Sequence, residues 1–373
     1  MRHWLAADRR ELEEFVTGAG QPKFRAKQVW DWLHAKRVDG FAAMGNVPAA
    51  LRAALAAEGV VRGFEEMERR DAADGLTSKW LWRAGSGEDL LESVLIIEKH
   101  LSRRTVCVSC MVGCPLNCGF CATGKHGFTR NLTRGEIIEQ VYRIDAWSRS
   151  LGEGMGVSHI VFMGMGEPLL NFEAVMGAAG VFCDAGGMGL SGRHVTISTA
   201  GVPEGVRRLA RSGVNYRLAV SLHASNQATR QRIMPCAERW PLNELFPALA
   251  EFAETSSRDI TFEYCLIDAV NSGPAEAREL VELLKPIRCK VNLIPMNPVP
   301  GVGFRPPPAS AIRRFQEILE TAGISAPVRM EKGAEIGAAC GQLRAEKNGS
   351  KPSRPDLGEQ ASGRISKRGS SGQ

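Results

Sequence analysis

The stretch TVCVSCMVGCPLNCGFCATG, residues 105–124, carries three cysteines in one short loop: Cys114, Cys118 and Cys121, spaced Cys-x3-Cys-x2-Cys. Three thiolates at this spacing can hold three irons of a cubane iron–sulfur cluster. An electron-transfer cluster normally takes four cysteines, so a missing fourth ligand leaves one iron open to a substrate. The alternative is a zinc knot, since Cys107 and Cys110 lie just upstream. Structural zinc sites usually split their ligands into two pairs a dozen or more residues apart. Here the candidates crowd into one loop, where Gly113, Pro115 and Gly119 supply the turns. The spacing favours the cluster.

Outward from this loop, short apolar runs alternate with helical segments. Strands are expected at Thr105–Cys110, His159–Met165, His194–Thr199, Arg217–Leu222, Ile260–Ile267, Lys290–Pro295 and Val328–Met330. Helices are expected between them, at about 133–148, 172–184, 203–212, 241–256, 275–285 and 309–322. The first carries a capping-box signal, Thr133-x-x-Glu136, ahead of apolar Ile137, Ile138, Val141 and Ile144. Repeated strand–helix units imply a parallel sheet with right-handed crossovers. The expected fold class is α/β, an incomplete (β/α) barrel; a doubly wound open sheet is the alternative. Residues 1 to about 85 read as mainly helical, with one strand-like stretch near Ser78–Arg83. Ala26, Val29, Trp30 and Leu33 form an apolar helical stripe, and Arg25, Trp32 and Lys36 the opposite face.

In a (β/α) barrel the active site is built beyond the C-terminal ends of the strands. The cysteine loop follows the first expected strand. Gly164-Met165-Gly166-Glu167-Pro168 follows the second, Ser198 and Thr199 end the third, and Ser221-Leu222-His223 end the fourth. Asn297 follows the sixth. Gly164 and Gly166 lack the third glycine of a dinucleotide fingerprint, because Leu169 occupies its place. Glu167 is an acceptor suited to an ammonium group. Ser198 or His223 taken singly reads as ordinary strand-end hydrogen bonding; five features in register point to one site.

The chain has 373 residues, 44% hydrophobic, with a net charge of +6 and ten cysteines. That is a globular composition with room for a large core and one accessory domain. The N-terminus MRHWLAADRRELEEF has no apolar core of a secretory signal, and no segment approaches the roughly 20 apolar residues of a membrane span. A cytoplasmic protein with reduced thiols is expected. Residues 344–373 hold seven basic and three acidic residues, +4 of the chain's +6. This Ser/Gly/Lys/Arg-rich tail reads as disordered. It suits a polyanion such as RNA, or serves only solubility.

The motifs GC-x3-C-x2-C, MGMGEPLLN, VTISTAG, SLHA, VNLIPMNP and AACGQL together resemble the radical S-adenosylmethionine (SAM) RNA methyltransferases that methylate adenosine carbons, the RlmN/Cfr group, and within it the RlmN family. The resemblance covers roughly residues 20–343. It implies a radical-SAM barrel at 88–327, a helical RNA-binding accessory domain at 1–87 and a C-terminal catalytic loop at 328–343. It implies one 4Fe–4S cluster on Cys114, Cys118 and Cys121. SAM would be bound by Gly166, Glu167, Ser198, Ser221, Leu222, His223 and Asn297. Cys340 would be the methylated cysteine, Cys107 the resolving cysteine and Glu92 the acid/base. The expected product is 2-methyladenosine, in 23S rRNA at the peptidyl-transferase centre and beside the anticodon in tRNA. A flavodoxin-like or ferredoxin-like electron donor is implied as a partner.

Three departures stand against the pattern. The segment between Glu92 and Cys107 is two residues longer, Cys110 stands where a serine is expected, and GAEIGAAC precedes the AACGQL cysteine in place of a more acidic run. Three other functions compete: carbon-8 methylation as in the Cfr group, a radical-SAM enzyme acting on a small molecule or peptide, and a non-catalytic zinc or iron–sulfur RNA-binding module. The last leaves the strand-end motifs without a role. Cys183, Cys236, Cys265 and Cys289 read as structural thiols.

Overall fold

The computed structural model describes residues 1–85, 87–152, 155–299, 301–329 and 332–343. The basic tail at 344–373 and the Met330 end of the expected strand Val328–Met330 lie outside the described residues.

One nine-stranded sheet dominates, and its strands stand in chain order. They are β1 Phe64–Asp71, β2 Thr77–Ala84, β3 Leu90–Glu98, β4 Arg103–Cys107, β5 His159–Phe162, β6 Val195–Thr199, β7 Arg217–Ser221, β8 Ile260–Leu266 and β9 Cys289–Pro295. From β4 onward every neighbouring pair is parallel. Between consecutive parallel strands the chain crosses over through helices Arg134–Ser150, Phe172–Cys183, Pro203–Arg211, Leu242–Thr255 and Pro274–Leu284. This is the α/β architecture of the expected incomplete barrel. The capping box forms as read: Glu136 N–H donates to Thr133 Oγ1 at 3.3 Å, and Thr133 N–H to Glu136 Oε2 at 2.7 Å.

Side chains alternate along each strand, so one row faces the helices and one the lumen. On β7, Leu218 and Val220 join the same buried apolar cluster as Val206, Leu209, Leu245 and Leu249 of the outer helices. Full burial of each such side chain stabilises by roughly 1.5–3 kcal/mol. The opposite row, Arg217, Ala219 and Ser221, faces the lumen.

The first 58 residues are mainly helical, as expected, but residues 64–84 form two strands. Helices Arg9–Gly18, Phe24–Trp30 and Ala49–Glu58 are followed by β1 and β2, which join the large sheet antiparallel through β3. The expected boundary at 87/88 therefore falls inside a hairpin. β1 reads FEEMERRD and exposes all but Phe64, so it shows no apolar alternation; backbone pairing to β2 makes it a strand. The helical part docks on helix Arg134–Ser150. Glu139, fully buried there, accepts from Gly63 N–H at 2.7 Å and Phe64 N–H at 3.1 Å, and pairs with His3 at 3.2 Å. The stripe of Ala26, Val29, Trp30 and Leu33 is buried as expected.

Candidate active site

Ten of the expected site residues line one cavity of about 170 Å³: Cys114, Cys118, Cys121, Gly166, Glu167, Ser198, Ser221, His223, Asn297 and Cys340. They come from the cysteine loop, four strand ends and the C-terminal segment. Three do not line it. Leu222 sits in the core, its N–H donating to Glu263 O at 3.1 Å and its carbonyl accepting from Arg230 Nε at 3.3 Å. Cys107 and Glu92 stand outside the wall.

The cysteine loop is fixed by its backbone. Gly113 has φ +76°, and a Cβ there would meet Gly127 O at 2.0 Å; Cys114 N–H donates to the same carbonyl at 2.8 Å. Gly119 N–H donates to Ile233 O at 2.8 Å, and Cys121 N–H to Cys118 O at 3.1 Å. Burial lifts the Cys114 thiol well above its ordinary value. Cys118 shares a thiol–thiol hydrogen bond with Cys236, which raises Cys118 and lowers Cys236. The C-terminal segment is stitched to this loop: Ala122 N–H donates to Gly341 O at 2.7 Å, and Thr123 Oγ1 to Leu343 O at 2.7 Å. Those two bonds carry Cys340 to the cysteines across more than 200 residues.

Gly166 has φ +105°, and a Cβ would press on Met111 at 2.6 Å and Cys110 Sγ at 2.9 Å. The backbone can turn tightly here only as glycine. That turn aims Glu167, 2% exposed, across the strand ends: its Oε2 accepts from Ala200 N–H at 2.7 Å and its Oε1 from Leu169 N–H at 3.1 Å. Burial raises its carboxyl to about 7, against those hydrogen bonds. His223, at φ 55°, accepts from Cys265 N–H through Nδ1 at 2.9 Å. Burial holds its ring at about 3, so it is neutral with its proton on Nε2.

Cys340 is exposed because it faces the open cavity. The surrounding protein still raises its thiol, while the Arg329 guanidinium pulls the other way. Cys107 is close enough for the two thiols to oppose each other's ionisation; burial first, then Cys340, pushes it up to about 12. Cys110 does not line the cavity and is 2% exposed. Cys107 ends β4, and Cys110 lies three residues further on, beyond the strand. Glu92 is 3% exposed and pairs with Lys79 Nζ at 2.9 Å; Lys79 in turn donates to Gly337 O at 3.2 Å. Glu92 thus stands behind the loop that carries Cys340.

The residues present fit the groups the motifs imply. Three thiols of one loop open on the cavity, and iron takes such thiols as thiolates. Asn297 Oδ1 is buried and accepts no hydrogen bond, so it is an acceptor open to a donor on a bound molecule. Glu167 offers a carboxylate to an ammonium.

Sequence reading missed Glu263 and Arg329, which line the cavity beside Cys340. A lone charge inside the apolar run ITFEYCL was the available signal for Glu263. It also read Cys265, which lines the cavity, as a structural thiol.

Known proteins bear on this site. A family model described as "Ribosomal RNA large subunit methyltransferase N-terminal domain" matches residues 4–61, and the "Radical SAM superfamily" matches residues 108–284. A "probable dual-specificity RNA methyltransferase RlmN 2" from Protochlamydia amoebophila is 43% identical over 95% of this chain and 98% of its own length. A "probable dual-specificity RNA methyltransferase RlmN" from Moorella thermoacetica is 46% identical over 90% of this chain and 94% of its own. The crystal structure of a radical SAM methyltransferase from Sphaerobacter thermophilus superposes with a TM-score of 0.88 and 41% identity, over 93% of this chain and all of that one. With the cysteine loop, the strand-end residues and Cys340 around one cavity, and with relatives of this identity along nearly its whole length, the chain belongs to the RlmN family of radical SAM RNA methyltransferases.

Proposed function

We propose that this enzyme is a dual-specificity RNA methyltransferase, placing a methyl group on carbon-2 of an adenosine in 23S rRNA and of an adenosine beside the anticodon in tRNA. The observation that carries the reading is the single cavity in which Cys340 meets Cys114, Cys118 and Cys121. Carbon-2 of adenine is electron-poor and does not attack a methyl sulfonium directly, so a protein nucleophile has to intervene.

Bound in the cavity, one 4Fe–4S cluster and SAM would supply the methyl group and the radical chemistry. Cys114, Cys118 and Cys121 would hold the cluster. Glu167 and Asn297 would take the polar end of SAM, with Gly166 giving it room and Ser198, Ser221 and His223 lining its wall. Cys340 is the nucleophile that accepts the methyl group and presents it to adenine as a thioether. With Cys340 joined to the adenine carbon through a methylene, the Cys107 thiolate attacks the Cys340 sulfur; the sulfur–methylene bond breaks, the carbon takes the electron pair and a proton to become the methyl group, and the RNA leaves with a Cys107–Cys340 disulfide behind. Glu92 acts on protons from behind the Cys340 loop, relayed by Lys79. A flavodoxin-like or ferredoxin-like protein delivers the electron, in the cytoplasm. Among the described residues no helix is long and apolar enough to cross a membrane. The basic tail adds sequence-independent phosphate affinity.

The deciding experiment compares nucleosides from RNA of cells with and without this protein. 2-Methyladenosine should be lost from both 23S rRNA and tRNA on deletion. An 8-methyladenosine product would assign the Cfr chemistry instead, and unchanged RNA would end the RNA reading.

A further inference from the structure

Beneath the site just described the lumen continues into a second, larger chamber of about 420 Å³. Six residues line both spaces: Met163, Glu263, Ile294, Asn297, Arg329 and Cys340. They form a waist, and Cys340 is its reactive member. The register of the sheet explains the division. Ser221, Cys265 and Ile294 reach the upper chamber, while Arg217, Thr261 and Lys290, four residues earlier on the same inward rows, reach the lower one. Four residues of strand span about 13 Å.

The lower chamber is cationic. Among the described residues, Arg103, Arg217, Lys290, Arg329 and Lys332 line it, with Glu98 and Glu263 as its carboxylates. Glu98 pairs with Arg103 at 3.5 Å and Lys332 at 3.0 Å; Glu263 lies 3.8 Å from Arg329. Arg217 and Lys290 have no carboxylate within ion-pair distance among the described residues. Burial, then neighbouring guanidinium groups, lowers both of them: Arg258, Arg103 and Arg193 act on Arg217, and Arg217 acts on Lys290. Gathering like charges costs stability unless an anion joins them. At the waist, Glu263 is 5% exposed. Its Oε1 accepts from Asn292 Nδ2 at 2.9 Å, and its Oε2 is buried with no hydrogen bond.

We propose that the lower chamber is the entry and binding site of the target nucleotide, with its flanking phosphates on Arg217 and Lys290 at the N-terminal ends of β7 and β9, and its base inserted to Glu263 and Cys340. This rests on the RNA reading above. A nucleotide has the two chemistries the chamber lacks: anionic oxygens for the unpaired cations, and an exocyclic amine to donate to Glu263. The base must leave its stack to be modified, which a pocket one strand-half deep accommodates. Cys340 then has the methyl donor on one side and the acceptor on the other.

The test uses the full-length, cluster-loaded protein and a fluorescent RNA stem-loop whose loop contains the methylated adenosine. Anisotropy titrations over a range of salt are run on the wild type, on Arg217→Gln, Lys290→Gln and the double variant, and on Arg207→Gln, an outer-helix cation paired with Glu251. The double variant should bind roughly tenfold more weakly and lose about 1.4 from the slope of log affinity against log salt, two single-strand phosphates' worth. Arg207→Gln should match the wild type. Glu263→Gln should lower kcat/KM for methylation with the salt slope unchanged. Melting temperatures within a few degrees of wild type establish that the variants are folded. If the double variant keeps wild-type affinity and slope while the wild type methylates the same RNA, the chamber is not the RNA site and only this inference falls. If the wild type neither binds nor methylates any RNA, the proposed function falls and this inference with it.

Discussion

Asn297 Nδ2 donates a hydrogen bond to the carbonyl oxygen of Cys340 at 2.9 Å, while its Oδ1 is buried without a donor. One amide thus ties the segment carrying Cys340 to the chain just beyond β9 and leaves an acceptor that the proposed function gives to SAM. Asn297→Ala is expected to weaken SAM binding about tenfold, one to two hydrogen bonds' worth, and to slow methyl transfer to Cys340. Calorimetric titration and mass spectrometry of the Cys340 peptide read the two effects. Unchanged SAM affinity would remove Asn297 from the cofactor site.

Cys114, Cys118 and Cys121 each open on the same cavity. Alanine at any of them should strip iron and sulfide from anaerobically purified protein and abolish SAM cleavage. Cys236→Ser is the internal control: Cys236 touches Cys118 but belongs to the apolar cluster beneath the loop, so cluster content should persist. A fully loaded, SAM-cleaving Cys114→Ala protein would contradict the assignment.

Glu167 carries a carboxyl raised to about 7 from an ordinary 4.5, because it is buried. The folded, cofactor-free protein keeps a proton that the unfolded chain releases. Its contribution is complete below about pH 4.5 and is lost as pH rises through about 7, on the order of 3 kcal/mol. Denaturant titrations from pH 5 to 8 should therefore show falling stability, and Glu167→Gln should flatten the slope. SAM affinity should rise over the same interval as the carboxylate forms. A pH-independent difference between wild type and Glu167→Gln would show that the group titrates elsewhere.

Glu139 has the opposite sign. Burial alone would raise it, but hydrogen bonds from His3 and Gly63 N–H, with the charge of Arg143, hold it at about 2. Its contribution is present above about pH 4.5 and is lost as pH falls toward 2, again about 3 kcal/mol. Glu139→Gln should move the acid-unfolding midpoint upward and release the N-terminal helices first, visible as early protease cleavage near residues 59–63. Identical acid-unfolding curves would mean that this contact does not hold the docking.

Cys107→Ala should accumulate a covalent protein–RNA adduct, because Cys107 is close enough to Cys340 for the two thiols to oppose each other's ionisation. Cys110, buried away from the cavity, should not rescue it. Denaturing electrophoresis with labelled RNA gives the answer; normal turnover without adduct would reassign the resolving thiol.

The six parallel strands, their crossover helices and the cysteine loop were legible in the chain because each depends on local pattern: apolar runs of strand length, a capping box at Thr133, three thiols in eight residues. The strand-end residues were legible for the same reason, since a barrel puts loops of successive units on one rim. Tertiary structure decided what pattern cannot carry. β1, with its run of charges, is a strand only because β2 offers it backbone partners. Leu222 was expected at the SAM site by motif, yet the pleat turns it into the core, and both its backbone groups are already bonded. Cys340 reaches Cys121 through two hydrogen bonds spanning more than 200 residues. Glu263 and Lys290 line one chamber with Cys340 because β8 and β9 align their inward rows. Spacing along the chain fixes which residues share a face; only the closing of the sheet fixes which faces share a cavity.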